Sequence, residues 1–409
     1  MSPSPSPVAR QLRLAIHSLG LTQIVGWGTT FYAAAVLAGP VIAETHWTRT
    51  EVFGAFSLSL VLGALLAGPA GRAIDRFGGR RSMALGSVIA AMGLTMAAVA
   101  NSIEFYIAAW AVLGVAMRLM LYEAAFATLT AAAGVQAGRA ISLLTLYGGF
   151  ASTVFWPLGY ALVEAFGWRW AFAIYGALNL LVCLPVHLLA LPRPHAAPAE
   201  APASAPHSAD AAQYMSGAQR RFALVLLTLA IALFTYVNGA LSAHMIDTLV
   251  AFGLSASAAV SVAALRGVGQ FLGRLWQILF ATRIGPMKLA MIAIGLTPLA
   301  FLALVSGTGL AFALTFTLLQ GASNGLITIV RGVVPLALFG PKGYGALIGI
   351  MAAPGLFVSA VAPAAHAAII EYFGHGAGVI VNLIAAAGSF LLIVVLALRL
   401  RRNRKDAAG

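Results

Sequence analysis

Long apolar stretches separated by short polar turns divide this chain into twelve segments. Most are at least as long as the roughly 20 residues that a helix needs to cross a bilayer, and a spanning helix satisfies its own backbone polar groups. None alternates polar and apolar residues as a strand would. We therefore predict membrane helices at 14–43, 53–70, 82–100, 105–133, 141–163, 170–191, 222–250, 256–281, 289–305, 311–339, 344–370 and 378–398.

The segments form two sets of six, which predicts an N-terminal bundle at 14–191 and a C-terminal bundle at 221–400. Between them, 192–220 is rich in Pro, Ala and Ser and is expected to be a flexible cytoplasmic linker. Residues 1–13 read as a disordered tail and 401–409 as a basic tail. The first apolar segment is too long for the core of a cleavable signal peptide.

Composition supports a membrane protein, because 61% of residues are hydrophobic, 9% are charged and the mean hydropathy is +0.94. In soluble proteins about a quarter of residues are charged. The predicted fold class is all-α integral membrane, with twelve transmembrane helices in two pseudo-symmetric six-helix bundles.

The net charge of +13 is unevenly distributed. With both termini inside, most of the 24 Lys and Arg residues fall in cytoplasmic segments, as orientation rules require. The charge is therefore a topology signal, and nucleic-acid binding is the weaker interpretation. Arg outnumbers Lys 21 to 3, which suggests a GC-rich bacterial genome and hence a cytoplasmic (inner) membrane. The single cysteine, Cys183, excludes an internal disulfide.

The halves repeat when the sequence is compared with itself at an offset of 207. Arg76 then falls on Arg283 and Arg81 on Lys288, with five glycine matches beside them: Gly78 with Gly285, Gly114 with Gly321, Gly138 with Gly345, Gly148 with Gly355 and Gly167 with Gly374. Parallel repeats of this kind hold a substrate between two halves in one design of secondary transporter.

A charged run joins the second and third predicted helices. Its key residues are Gly71, Asp75, Arg76, Gly78, Arg80 and Arg81. This run resembles the loop between helices two and three of the major facilitator superfamily, and the resemblance covers nearly the whole chain. It implies the major facilitator fold, and it implies that Asp75 caps or pairs across the interface of the halves and helps to close one side. The alternative is a solvated turn that only fixes orientation.

Two further motifs, Gly26-Trp27-Gly28 and Gly167-Trp168-Arg169, resemble the monocarboxylate and oxalate/formate branch. That branch has an arginine on helix eight, eight residues before the loop acid position, and Arg274 stands eight before Thr282. The resemblance implies that Arg274 contacts a carboxylate. The chain departs from the branch because helix eleven has no mid-span cation and helix one has no acidic group.

Four arginines lie inside apolar segments, where a charge costs roughly 2.5 to 3.5 kcal/mol on insertion scales and normally faces the bundle interior. Arg266 and Arg274 are about 80° apart around helix eight and could address one cavity at two depths. A guanidinium binds a carboxylate bidentately, so both are candidate contacts for a small organic anion. The alternative is a structural arginine that is neutralised within the protein.

Helix four carries Arg118 and Glu123, which a continuous helix would place on diverging faces, so we expect them to be poor partners. The offset of 207 puts Glu123 beside Arg331, which predicts a bridge between these two residues as a gate or a proton-linked switch. A buried carboxylate could carry the coupling proton, although a nearby arginine favours its charged form. A plain structural ion pair is the alternative.

On helix seven, His244 and Asp247 are three residues apart and therefore neighbours on one face. They could take up protons, or they could only cap a helix end. Polar and aromatic residues on several helices are candidate lining of a central cavity. These are Gln23, Trp27, Tyr32, Asn238, Gln320 and Asn324.

The sequence thus predicts a secondary active transporter that moves a small organic anion by alternating access and is coupled to protons. We expect a monomer in the bilayer without cofactor or metal, and not an enzyme, since the sequence contains no Walker motif and no His or Cys cluster with metal-ligand spacing. The alternatives are an efflux pump for a drug-like or metabolite solute and, in another class, a membrane receptor or channel.

Overall fold

The computed structural model describes residues 7–191, 217–280 and 283–406. These residues are almost entirely helical, with two π-helical turns and one 3-10 turn between α-helices. The helices are α1 (Pro7–Gly26), α2 (Ala33–Thr45), α3 (Arg49–Phe77), α4 (Gly79–Ala98), α5 (Ile103–Met120), α6 (Tyr122–Ala133), α7 (Ala137–Gly149), α8 (Ala151–Leu178), α9 (Leu184–Leu189), α10 (Gly217–Ala251), α11 (Ala256–Phe280), α12 (Pro286–Val305), α13 (Leu310–Phe339) and α14 (Tyr344–Asp406).

Over these described ranges, nine helical stretches are long and apolar enough to cross a membrane. Two of them, of 53 and 59 residues, are too long for one crossing. Each bends at one glycine outside the helical region, Gly167 at φ 81° and Gly374 at φ 82°, a conformation that glycine adopts without strain. Each bend separates two of the predicted segments.

Helix α11 lies outside those nine stretches and carries Arg266 and Arg274. All twelve predicted segments nevertheless fall on helix, which confirms the all-α membrane fold class. The number of crossings, twelve, stays a prediction.

Helices extend into the predicted tails and linker in three places. Helix α1 begins at Pro7, inside the predicted tail, since a proline in the first turn needs no N–H donor. Helix α10 begins at Gly217, inside the predicted linker, and α14 continues through the basic tail to Asp406. The rest of the predicted linker, 192–216, lies outside the described residues.

The chain divides into two compact units. Unit 1 comprises Met1–Ala203 and Pro341–Ala353, and unit 2 comprises Ser204–Gly340 and Pro354–Gly409. The predicted bundles instead place 341–353 in the second half. This segment packs in unit 1 because Gly349 has no side chain, and a Cβ there would collide with the carbonyl oxygen of Ala67 on α3.

Each unit has its own apolar core. In unit 1, the aromatic residues Tyr106, Trp110, Trp168, Phe172 and Tyr175 are buried together among alanines and leucines of α2, α4, α5 and α8. In unit 2, the buried rings of Phe301 and Phe316 lie 5.2 Å apart between α12 and α13.

The outer surfaces of the helices carry large apolar side chains. Leu65, Leu181 and Leu189 are 69%, 71% and 81% exposed. Apolar side chains on the outside of long apolar helices face the hydrocarbon of a bilayer, so the chain is a multi-pass membrane protein.

The repeat at an offset of 207 is visible in helix crossings inside each unit. A Cβ on Gly114 of α5 would lie 2.5 Å from the carbonyl oxygen of Ser59 on α3. In unit 2, a Cβ on Gly321 of α13 would collide with the carbonyl oxygen of Arg266 on α11. Gly321 lies 207 residues after Gly114, and Arg266 lies 207 residues after Ser59, so the two crossings are equivalent. Small residues allow such close approach of membrane helices.

Gly321→Val tests this crossing. The added side chain meets the α11 backbone, which cannot rotate away, and we expect a loss of about 1 to 3 kcal/mol of stability from overpacking. Gly267→Val is the matched control, because a Cβ at Gly267 of α11 meets nothing within 4 Å. Thermal unfolding of the purified variants measures the difference, and equal melting temperatures would contradict a close crossing at Gly321.

Candidate functional site

In unit 1, the fourth predicted helix is broken between α5 and α6. Leu121 has an extended conformation, at φ −85° and ψ −160°, so α5 ends at Met120 and α6 begins at Tyr122. The break leaves backbone carbonyls without helical partners. Gln23 on α1 takes one of them, since its Nε2 donates to the carbonyl oxygen of Met120 at 2.8 Å.

The break also corrects the expectation for Arg118 and Glu123. On a continuous helix they would point about 140° apart, but the extended residue redirects α6 and brings Arg118 Nη1 to 3.3 Å from Glu123 Oε2. The expectation that they are poor partners was therefore wrong. Both ends are largely buried, with side chains 6% and 27% exposed.

This ion pair is not completed by hydrogen bonds. Among the described residues, Arg118 Nε and Nη1 and Glu123 Oε2 are buried without a hydrogen-bond partner, so the N–H groups do not point at the nearby oxygen. The pair borders a cavity of about 10 Å³, which is about the size that can hold one water molecule. The cavity is lined by Ala67, Gly71, Ile74, Arg118, Glu123, Gly345 and Gly349. It is too small for an organic substrate.

The hinge run lies beside this cavity. Asp75, at the end of α3, accepts hydrogen bonds from the backbone N–H of Gly345 and of Ala346, both at 2.8 Å. A carboxylate on the N-terminal N–H groups of a helix also benefits from the helix dipole. Gly71 allows the approach, because a Cβ there would collide with the carbonyl oxygen of Gly345.

The other hinge residues shape the turn into α4. Gly78 has φ 82° between α3 and α4, and the Arg76 guanidinium lies 5.2 Å from the centre of the Phe77 ring. Arg80 is half-buried in the first turn of α4, and Arg81 is exposed. Thr282, the counterpart of Asp75 in the repeat, lies outside the described residues.

In unit 2, Arg266 is held by two amide side chains. Its Nε donates to Gln320 Oε1 at 2.8 Å, and its Nη2 donates to Asn238 Oδ1 at 2.6 Å. Gln320 Nε2 also donates to Asn238 Oδ1, at 3.2 Å. The three predicted residues, from α10, α11 and α13, thus form one network. Its two amides orient the guanidinium without supplying a negative charge.

Arg274 lies two turns further along α11 and is only 7% exposed. Its Nη2 is 3.5 Å from the hydroxyl oxygen of Thr328 on α13, and its Nε has no hydrogen-bond partner among the described residues. Thr328 itself donates to the backbone oxygen of Asn324, which is half-buried on α13. Arg274 is therefore a buried cation with a neutral, long contact.

Arg331, also on α13, donates from Nη2 to the Thr235 hydroxyl at 2.6 Å within unit 2. Glu123 has its partner Arg118 within unit 1. The bridge between Glu123 and Arg331 stays a prediction.

The predicted aromatic lining residues of unit 1 belong to one ring cluster. Trp27 lies in the π-helical turn after α1, with ring centres 5.3, 6.4 and 5.1 Å from Phe31, Tyr32 and Tyr122. Its indole Nε1 is buried without a hydrogen-bond partner in the described part of the chain.

His244 and Asp247 are differently placed from one another. His244 Nε2 lies 3.0 Å from the backbone oxygen of Pro363, whereas Asp247 is exposed. The ring beside His244 belongs to His366, with centres 5.6 Å apart. Sequence reasoning missed His366, because a single histidine inside an apolar helix gives no local signal.

Taken together, a multi-pass helical membrane protein with inward-held arginines and a repeated pair of units is a solute transporter by class. A family model described as Major Facilitator Superfamily matches residues 18–313. The chain belongs to that superfamily, as its hinge run predicted.

One curated relative is Monocarboxylate transporter 3 of Rattus norvegicus, 30% identical over 349 residues. The match covers 79% of this chain and 65% of that relative, so this chain spans less than two thirds of its length.

Among solved structures, the fold is similar to that of the MFS transporter FucP in the outward conformation, with a TM-score of 0.74 at 14% identity over 95% of this chain and 99% of that one. It is also similar to the human organic anion transporter MFSD10, with a TM-score of 0.68 at 20% identity over 95% and 100%. At these identities the likeness shows the fold.

A double-mutant cycle on Arg118→Gln and Glu123→Gln tests the ion pair that the helix break creates. Each single variant leaves one buried charge without its partner, and the double variant leaves none. We expect a coupling of about 1 to 3 kcal/mol in thermal or denaturant unfolding. Additive effects of the two changes would mean that the pair does not interact.

Proposed function

We propose that this protein is a secondary active transporter that moves a small organic anion of the monocarboxylate type by alternating access, coupled to protons. The single observation that carries the anion is Arg274, a buried guanidinium whose described contact is a neutral hydroxyl. A buried cation of this kind is stabilised by an anion, and a carboxylate matches its planar pair of donors.

Arg266 extends the same argument along α11. It lies about 12 Å from Arg274 along the helix axis by helical rise, and the amides of Asn238 and Gln320 fix its plane. A fixed guanidinium loses little freedom when it binds a carboxylate, which favours binding. Two oriented cations at two depths suit an anion that passes from one to the other.

Two comparisons favour the anion. The monocarboxylate transporter of rat and the human organic anion transporter both carry anions by their names. The fold is also similar to that of the E. coli fucose:proton symporter, which is named for a sugar, so the argument depends on the arginines of this chain.

Proton coupling has its support in unit 1. The Glu123 carboxylate sits against Arg118 without aligned hydrogen bonds, beside a cavity of about 10 Å³. Protonating Glu123 would remove the attraction and change which groups Arg118 holds. The adjacent cap from Asp75 to α14 is the proposed latch.

A second candidate is export of an aromatic metabolite, which the ring cluster around Trp27 favours. Aromatic side chains in a transporter can stack on a flat solute. We propose that both termini lie inside, from the charge distribution, and that the membrane is a bacterial cytoplasmic membrane, from the excess of Arg over Lys. A monomer stays our expectation.

A thermal-shift screen tests the substrate class. Purified protein is heated with lactate, pyruvate, formate, oxalate and, as a neutral control, fucose. A ligand that binds only the folded state raises the melting temperature, and a concentration of 100 times Kd adds about 2.7 kcal/mol. Stabilisation by a carboxylate and not by fucose supports the proposal, and stabilisation by fucose alone contradicts it.

Arg274→Ala and Arg266→Ala are expected to lower anion binding and counterflow exchange by about tenfold to a hundredfold, the value of a charge-assisted hydrogen bond. Arg283→Ala is the matched control, because Arg283 is exposed. Proteoliposome counterflow with the stabilising anion gives the measurement. If both variants exchange at the rate of the control, the arginines do not bind the substrate.

Asp75→Asn keeps the size of the side chain but removes the charge from the N-terminus of α14. We expect slower counterflow turnover with substrate affinity changed less than about twofold, because the carboxylate touches backbone and not the arginines. The maximum rate and the half-saturating concentration of counterflow, determined separately, distinguish the two effects. A variant with unchanged turnover would show that the cap is not a latch.

A further inference from the structure

Three histidines of unit 2 gather where α10 approaches its end and α14 bends. His244 lies on α10, His366 lies on α14 before the bend at Gly374, and His375 follows the bend. The rings of His244 and His366 have centres 5.6 Å apart, although 122 positions separate them in the sequence.

His366 is the buried member of this group. It is 2% exposed, and each ring nitrogen faces a polar side chain. Nδ1 is 3.5 Å from the hydroxyl oxygen of Tyr236 on α10, and Nε2 is 3.3 Å from Nδ2 of Asn382 on the second half of α14. Both nitrogens of this buried ring therefore have a polar neighbour.

Asn382 makes the pocket able to accept two protonation states. It is 1% exposed, and its Oδ1 has no hydrogen-bond partner among the described residues. With Nδ2 facing the ring, the amide donates to a neutral Nε2, and Nδ1–H points to Tyr236. If the Asn382 amide rotates by a half-turn, Oδ1 takes the place of Nδ2 and accepts a hydrogen bond from a protonated Nε2 of His366. The imidazolium then has an acceptor for both N–H groups.

The groups around the ring suit a relay of single protons. His244 on α10 and His375 after the bend are the titratable groups that act electrostatically on His366, and Tyr236 and Asn382 are its polar neighbours. Two charged rings at this separation repel, so a proton on one disfavours a second. Asp247, three residues beyond His244 on α10, is exposed.

His187 in unit 1 shows what a structural buried histidine looks like in this chain. It is fully buried, its Nδ1 is 2.9 Å from the Ser87 hydroxyl, and its Nε2 has no partner in the described residues. It offers no acceptor for a second N–H and serves as an internal control.

We propose that His366, with Tyr236 and Asn382, is a proton-binding site of unit 2, and that protons reach it from Asp247 and His244. One proton binds to Nε2 of His366, and the Asn382 amide rotates to accept a hydrogen bond from the new N–H. The proton leaves by the reverse step. The use of this proton to drive an anion rests on the proposed function, whereas proton binding itself is tested without a substrate.

Nuclear magnetic resonance of ¹⁵N-histidine-labelled protein in nanodiscs tests the site between about pH 4 and 8, the range in which histidines change charge. The variants His366→Gln and His187→Gln assign the two buried rings. We expect the nitrogens of His366 to pass reversibly from one neutral tautomer to the imidazolium, while those of His187 keep one neutral form. A His366 ring that stays in one neutral tautomer over the whole range overturns the proposal.

Asn382→Leu separates proton holding from packing, because it leaves His366 in place and removes the acceptor. Losing a hydrogen bond to a charged group should move the His366 midpoint by about one to two pH units towards acid. Gly378→Ala is the steric control, since a Cβ there would lie 3.1 Å from His366 Nε2 and disturb the ring without removing the amide. An unchanged midpoint in Asn382→Leu would show that the amide does not hold the proton.

Discussion

The cost of a guanidinium inside the apolar interior of a helical bundle governs both units of this protein. In unit 1, a helix break at Leu121 brings the Glu123 carboxylate to Arg118, and the opposite charge offsets this cost. In unit 2, Arg266 donates hydrogen bonds to two side-chain amides, and Arg274 contacts a hydroxyl. The described contact of the buried Arg274 is neutral and leaves its charge for an anion to balance, which is why the proposed substrate site lies in unit 2.

The same helix crossing serves both purposes, because the repeat preserves the backbone and not the charge. Gly63 of α3 faces Arg118 of α5, whose Nε lies 3.3 Å from a Cβ built on that glycine. At the equivalent place in unit 2, Gly325 of α13 faces the backbone of Gln270 on α11. Arg118 thus corresponds to Gly325 and Gly63 to Gln270, so the cation of this crossing in unit 1 has no counterpart at the same place in unit 2. The duplicated scaffold carries an ion pair in one copy and, in the other, the buried Arg274 beside a neutral hydroxyl.

The sequence predicts features that depend on composition over many residues or on glycine. The twelve apolar segments fall on helices, and the bends at Gly167 and Gly374 separate segments that were predicted as separate. The break at Leu121 could not be predicted, since no Gly or Pro stands there and tertiary contacts such as that from Gln23 compensate it. The packing of 341–353 in unit 1 and the role of His366 were missed for the same reason. Each depends on partners more than 100 residues away.

An ion pair that is close but misaligned is a suitable element for coupling. At 3.3 Å, Arg118 and Glu123 attract each other, yet buried N–H and oxygen atoms of the pair have no hydrogen-bond partner among the described residues. The pair is therefore less stabilising than a fully hydrogen-bonded one. A proton on Glu123 therefore disrupts less than it would in a fully hydrogen-bonded pair. Glu123 lines the adjoining cavity. Gly345, which donates its N–H to Asp75 in the cap of α14, lines the same cavity. The ion pair and the helix cap thus meet at one place in unit 1, which is where we propose the proton-linked latch.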